Sequence, residues 1–213
     1  MVSIKNIGFV ALCAAATAFA ADEPAQQVEP PKDAKALLEQ LHQTNQDEIQ
    51  LAQIAETKVQ SKHAKDVAQQ ILKDHQQLDQ QVTQLAQQRK LNLGKPSTKG
   101  KFEKQVKEIG KDFRDTLKDA QAGPMFDTLY LSDMVVEHGN DVLMLQAAQS
   151  KFQSDPDVAK LLSSTLPVIG RHQQMAAKAL SDVVQHNQAV GGAGSEGKLD
   201  LKSRQSPSSP SGY

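Results

Sequence analysis

The sequence holds a single cysteine, no tryptophan and two tyrosines in 213 residues, and aromatic residues make up 4% of it. A core must therefore be built from Leu, Val, Ile and Ala. That suits packed helices better than a β-sandwich, whose strands draw on aromatic and β-branched side chains. An excess of one charge is lacking too: Lys+Arg number 24 against 25 Asp+Glu, a net charge of -1. Without a dense basic face, the counterion release that drives nucleic-acid binding has no source. Beyond the first twenty residues, no apolar run approaches the length of a membrane span. There is no Gly-rich phosphate loop, no Ser-His-Asp order and no nucleophile elbow.

Met1 to Ala20 reads as a signal peptide. Lys5 supplies a positive start, Ile7 to Ala18 is apolar or small, and Ala18-Phe19-Ala20 has the A-x-A form of a cleavage site. Cys13 follows Leu12, where a lipoprotein signal would carry a small residue, so Cys13 is expected to leave with the leader. A mature chain starting at Ala21 would hold no cysteine, which excludes disulfides, thiol catalysis and Cys-based zinc sites together. The expected destination is outside the cytoplasm, in the periplasm or cell envelope.

Residues 21–32 contain Pro24, Pro30 and Pro31 and read as an extended leader. Residues 187–213 are rich in Gly, Ser and Pro and read as a disordered tail. Residues 33–186 read as one four-helix bundle domain. Four segments keep an unbroken 4-3-4-3 spacing, the seam of packed helices. The first seam is Ala34, Leu38, Leu41, Asn45, Glu48, Ala52, Ala55, Val59. The second is Ala64, Ala68, Ile71, His75, Leu78, Val82, Leu85. The third is Leu131, Val135, His138, Val142, Leu145, Gln149, Phe152, and the fourth is Val158, Leu162, Thr165, Ile169, His172, Ala176, Ala179, Val183.

Asp33 can cap the first helix, Gly123-Pro124 can open the third, and Asp155-Pro156 can open the fourth. Continuing the first seam past Val59 would bury Lys62, Asp66 and Gln69, so a turn is expected near Ser61. Residues 92–123 exceed the needs of an antiparallel turn and can run the length of a bundle, with a short helix over 101–120. The 27 glutamines crowd the outer faces of the first two helices and read as solvated surface.

Each seam carries one residue able to hold a metal or a proton: Glu48, His75, His138 and His172. Glu48 and His75 both lie about 20 Å from the turn at Ser61, and His138 and His172 lie about 24 to 27 Å from a turn near Ser154. All four fall near mid-height, in one polar layer of an otherwise apolar core. Buried unpaired, such groups would cost several kcal/mol, so they must meet each other, a water or an ion. Three imidazoles and a carboxylate suit one zinc, copper or iron ion. The alternative is a metal-free hydrogen-bonded cluster. Asn45, one turn from Glu48, is a candidate supporting partner, as are Asp133 and Asp141 beside His138, while Glu137 reads as surface. His42, His63 and His186 lie near helix ends and are expected to be exposed. Tyr130 reads as core with a hydroxyl in need of a partner, and Met125, Met134, Met144 and Met175 read as core filler.

The stretches 47–55 (DEIQLAQIA), 73–82 (KDHQQLDQQV), 126–138 (FDTLYLSDMVVEH) and 166–176 (LPVIGRHQQMA) resemble the helix motifs of the domain-of-unknown-function 4142 family. The most specific part is Phe126, Asp127, Tyr130, Met134, Val135 and His138. The resemblance implies a ferritin-like four-helix bundle, export, and recurrent Glu and His positions at Glu48, His75, His138 and His172. It implies no reaction. Ferritin-like di-iron proteins use Glu-x-x-His pairs. Here Leu72, Val135 and Ile169 stand three before the histidines, which disfavours a bridged di-iron centre. The expected protein is an exported, non-enzymatic bundle that binds one metal ion for storage, buffering or stress protection. Its alternative is a metal-free structural or interaction protein of the envelope.

Overall fold

The computed structural model describes residues 29–96 and 101–192. The signal peptide expected over 1–20, the leader up to residue 28 and the tail beyond residue 192 lie outside the described residues. The chain is all-α: α1 (Ala34–Lys58), α2 (Lys62–Gln88), α3 (Lys101–Asp119), α4 (Pro124–Lys151) and α5 (Pro156–Gly192).

The helix starts follow their capping residues. Asp33 accepts from the Ala36 N–H at 2.8 Å, and Ser61 accepts from the Ala64 N–H at 3.1 Å. Gly123, at φ 149°, turns the chain into Pro124 at a backbone angle that disfavours any side chain. Asp155 accepts from the Val158 N–H at 3.3 Å just before Pro156. One boundary differs from the sequence reading, while α3 spans Lys101–Asp119, within one residue of the helix expected over 101–120. It runs through Gly110, a substitution for Ala that costs a helix only about 1 kcal/mol. α5 continues past 186 to Gly192, so the start of the expected tail is helical. Gln188, Ala189 and Val190 can extend a helix, and the Gly191-Gly192 pair falls at its end, where glycine is tolerated best.

The two ends of the bundle are tied by polar contacts that fix its topology. Asp127 in the first turn of α4 accepts from the N–H groups of Gln60 and Ser61, at 2.9 and 2.7 Å. It thereby joins the start of α4 to the α1–α2 turn. At the other end Arg89, just after α2, forks onto Asp155 and reaches Asp157, both before or at the start of α5. α2 and α4 therefore run parallel, α1 and α5 run the opposite way, and the crossover travels back along the bundle. α1 packs on α2, α2 on α5 and α5 on α4, whereas α1 and α4 barely touch. α3 lies over that open seam and inserts Leu117, fully buried, into the core. Lys58 holds the end of α3 by donating to the carbonyls of Leu117, Lys118 and Ala120.

The core is divided in two. One apolar cluster, near the α1–α2 turn, holds Leu51, Ala52, Ile71, Leu131, Met134 and Ala176 among others. The other, near the α4–α5 turn, holds Leu38, Leu41, Leu78, Val82, Leu145 and Leu162 among others. Met134 and Met144 are buried, but Met125 is 71% exposed, against the expectation of core filler. It lies in the first turn of α4.

Candidate metal centre

Between the two apolar clusters lies one polar layer. Asn45 and Glu48 of α1, His75 of α2, His138 of α4 and His172 of α5 are all buried there, with His75 and His138 fully so. His75, His138 and His172 stand at one height, as their helical rise implies.

The three histidines meet. Their ring centroids form a nearly equilateral triangle with sides of 5.5, 5.3 and 5.2 Å. One nitrogen of each lies within 4.8 Å of the others. The outward nitrogens fix the tautomers. His138 Nδ1 sits 3.0 Å from the Met134 carbonyl, which can only accept, so Nδ1 carries the proton. His75 Nδ1 donates to Asn45 Oδ1 at 2.9 Å. His172 Nε2 donates to Asp74 Oδ2 at 2.9 Å. Each neutral ring has then one lone pair left, on His75 Nε2, His138 Nε2 and His172 Nδ1. The first two face each other at 3.3 Å, and the third is buried with no hydrogen-bond partner.

Burial keeps the rings neutral. Desolvation, with the neighbouring imidazoles second, holds His75 well below its ordinary value. His138 is pushed down to about 3 by desolvation and then by His172. His172 is lowered by desolvation, against the opposing pull of Asp74. Neutral imidazoles are the form that ligates a metal.

Asp74 is a partner that the seam pattern missed. It precedes His75, so helical geometry turns it about 100° away from the seam, toward α5. It also accepts from Gln70 Nε2 at 2.8 Å, which holds it in place. An acidic residue beside a seam histidine, on the side of the next helix, was the available signal. Asn45 meets His75 as expected. Asp133 and Asp141 do not hold His138, whose free N–H goes to its own helix at Met134.

Glu48 stands apart from the three converging nitrogens and faces α4 instead. The charges that act on its carboxyl are Glu137, Asp141 and Asp133 of α4. Glu137 is thus half-buried and turned inward, not the solvated residue expected. The spacing of 133, 137 and 141 places all three acids on one face of α4. Desolvation, then Glu137, raises Glu48 well above the usual carboxylate range. Asp133 and Asp141 are each pushed up to about 7 by desolvation and then by Glu137. Arg114 of α3, itself 3.7 Å from Asp47, acts in the opposite sense on Asp133.

A cavity of about 10 Å³ adjoins His75, lined by Thr44, Asn45, Asp141, Thr165 and apolar side chains. It is about the size of one water. The remaining histidines serve elsewhere. His42 is half-buried and pairs with Asp79 at 2.6 Å, whereas His63 and His186 are exposed.

Three neutral nitrogens with a cavity at hand match the ligand set of a site that keeps a fourth position open. Zinc–nitrogen bonds of about 2.0 to 2.1 Å in a tetrahedron separate the nitrogens by about 3.4 Å. His75 and His138 already stand at that spacing, and His172 requires a small inward shift. Comparison with curated proteins and with solved structures finds no match. The model of a domain of unknown function, DUF4142, matches residues 17–179, which include all three histidines and Glu48, and the chain belongs to that family.

Proposed function

We propose that the protein is an exported, non-enzymatic bundle that binds one zinc, copper or iron ion through His75, His138 and His172. The observation that carries this reading is the disposition of protons. Each imidazole gives its only N–H to an outward acceptor, and a lone pair is left on His75 Nε2, His138 Nε2 and the buried, unpartnered His172 Nδ1. Lone pairs repel, and a cation removes the conflict. Asn45, the Met134 carbonyl and Asp74 then act as the outer partners that orient metal-bound histidines.

Water takes the fourth position in this reading, because Glu48 is not among the groups that converge with the three histidines. One ion per chain suits buffering or protection of the envelope better than bulk storage. Export rests on the A-x-A leader ahead of Ala21.

A second reading, a metal-free envelope protein, draws on the 3.3 Å contact of His75 with His138. If Asn45 turned its amide, His75 could carry its proton on Nε2 and donate it to His138. That arrangement still leaves His172 Nδ1 without a donor.

Cobalt(II) titration tests the choice. A three-histidine site gives visible d–d absorption saturating at one ion per chain, lost in His138→Ala. The metal-free reading requires no such absorption.

A further inference from the structure

The carboxylates between α1 and α4 form a second feature, separate from the histidines. Four acids from two helices, Glu48, Asp133, Glu137 and Asp141, gather where the bundle helices barely touch. Glu48 is 2% exposed, and its Oε2 has no hydrogen-bond partner. Asp133 Oδ2 is also buried and unpartnered. A different side chain points to the same place. The hydroxyl of Tyr130 is fully buried and unpartnered, and the charges acting on it most are Glu48 and Asp133. Oxygen atoms from three side chains are thus buried without hydrogen-bond partners in this region.

α3 closes this region from outside. A Cβ on Gly110 would stand 3.9 Å from Glu137 Oε1 and 3.5 Å from Arg114 Nη1. The lid therefore approaches the acids through a residue with no side chain. Arg114, which acts on Asp133, also lies 3.7 Å from Asp47.

We propose that this α1–α4 gap is a second cation site, in which Glu48, Asp133 and Glu137 bind a hard divalent ion of the calcium or manganese kind. Oxygen-only ligands select such ions, whereas imidazoles select zinc, copper or iron. Without an ion, like charges hold the carboxylates apart, and the cation draws them together.

The inference does not depend on the three-histidine reading, and terbium separates the two. Terbium(III) replaces calcium at oxygen sites and emits when a nearby tyrosine is excited. The chain has no tryptophan and two tyrosines, Tyr130 and Tyr213, so the donor can be identified by substitution. Full-length protein titrated with terbium should show saturable emission at one ion per chain, displaced by manganese or calcium. Tyr130→Phe should remove the emission but not the binding seen by calorimetry. Glu48→Gln and Asp133→Asn should each weaken binding by about ten-fold or more. His172→Ala, which removes a nitrogen ligand, should leave the terbium signal intact. Thermal melts establish that each variant is folded, and a variant that is not is replaced by Glu137→Gln. The proposal is overturned by absence of emission in the wild type. It is equally overturned by binding that survives both Glu48→Gln and Asp133→Asn, or by loss of the signal in folded His172→Ala.

Discussion

His75 and His138 turn their Nε2 atoms toward each other at 3.3 Å, and in each ring Nδ1 is the atom that carries the proton. Two lone pairs at hydrogen-bond distance have nothing to share between them. Everything around the pair sustains this arrangement: a carbonyl that can only accept holds His138, and Asn45 holds His75.

Asp74 tests how far the outer partners matter. Asp74→Asn keeps the size of the side chain but removes the charge that holds His172 Nε2–H. Metal affinity should fall about 10- to 100-fold with the binding stoichiometry unchanged. Competition against a chromophoric chelator measures this directly. Asp79→Asn, which touches His42 rather than the layer, serves as the control.

The metal-free protein should show a nearly pH-independent stability between about pH 4.5 and 6.5. His138 titrates at about 3 when folded and near 6.5 when unfolded. Its contribution is present above 6.5 and is lost as pH falls toward 3, because the unfolded chain takes the proton first. Asp133 and Asp141 titrate at about 7 when folded, against 3.8 when unfolded. Their contribution is present below 3.8 and is lost as pH rises through 7. His75 and His172, also held low, join His138, and Glu48, also held high, joins the two aspartates, so three groups of each kind oppose each other. Asp133→Asn with Asp141→Asn should therefore leave a stability that falls clearly toward acid, read by urea denaturation across the range.

Glu48→Gln should stabilise the metal-free protein at pH 8 by about 1 to 3 kcal/mol, since a buried carboxyl among three other acids is replaced by a neutral amide. The sign follows from its raised folded pKa. The cost of burying Glu48 grows as pH rises above the unfolded value of 4.5, so the gain should shrink toward pH 4. Chemical denaturation of both proteins at the two pH values gives the comparison.

The seam spacing was enough to place the three histidines at one height, because helical rise alone determines it. It also gave the turn at Ser61 and the crossover. The spacing could not say which way a side chain turns within the layer. Glu48 shares the layer but turns to α4, and Glu137, which looked like surface, turns to meet it, because α1 and α4 leave a gap there. Asp74 lay off the seam and so outside the pattern, although α5 comes to meet it. The helix of the crossover was legible over nearly its whole length in spite of Gly110, since one glycine costs a helix only about 1 kcal/mol.

Asp127 offers a test of the fold apart from the metal. It is 1% exposed and satisfies two backbone N–H groups of the α1–α2 turn. Asp127→Ala would leave both without partners and should cost about 2 to 4 kcal/mol. Asp127→Asn keeps an acceptor and should cost less. Loss of equal size in both variants would place the role of Asp127 elsewhere.

The central claim is that three imidazole lone pairs await a cation, and the most direct measurement is the melting temperature of metal-free protein before and after zinc is added at pH 7.5. An ion bound only to the folded chain must raise it, by about 2.7 kcal/mol of stability at a hundred-fold excess over the dissociation constant. The account predicts a rise that a chelator reverses and that His138→Ala and His172→Ala abolish, while His186→Ala keeps it. An unchanged wild-type melting temperature with zinc, copper and iron alike would contradict it.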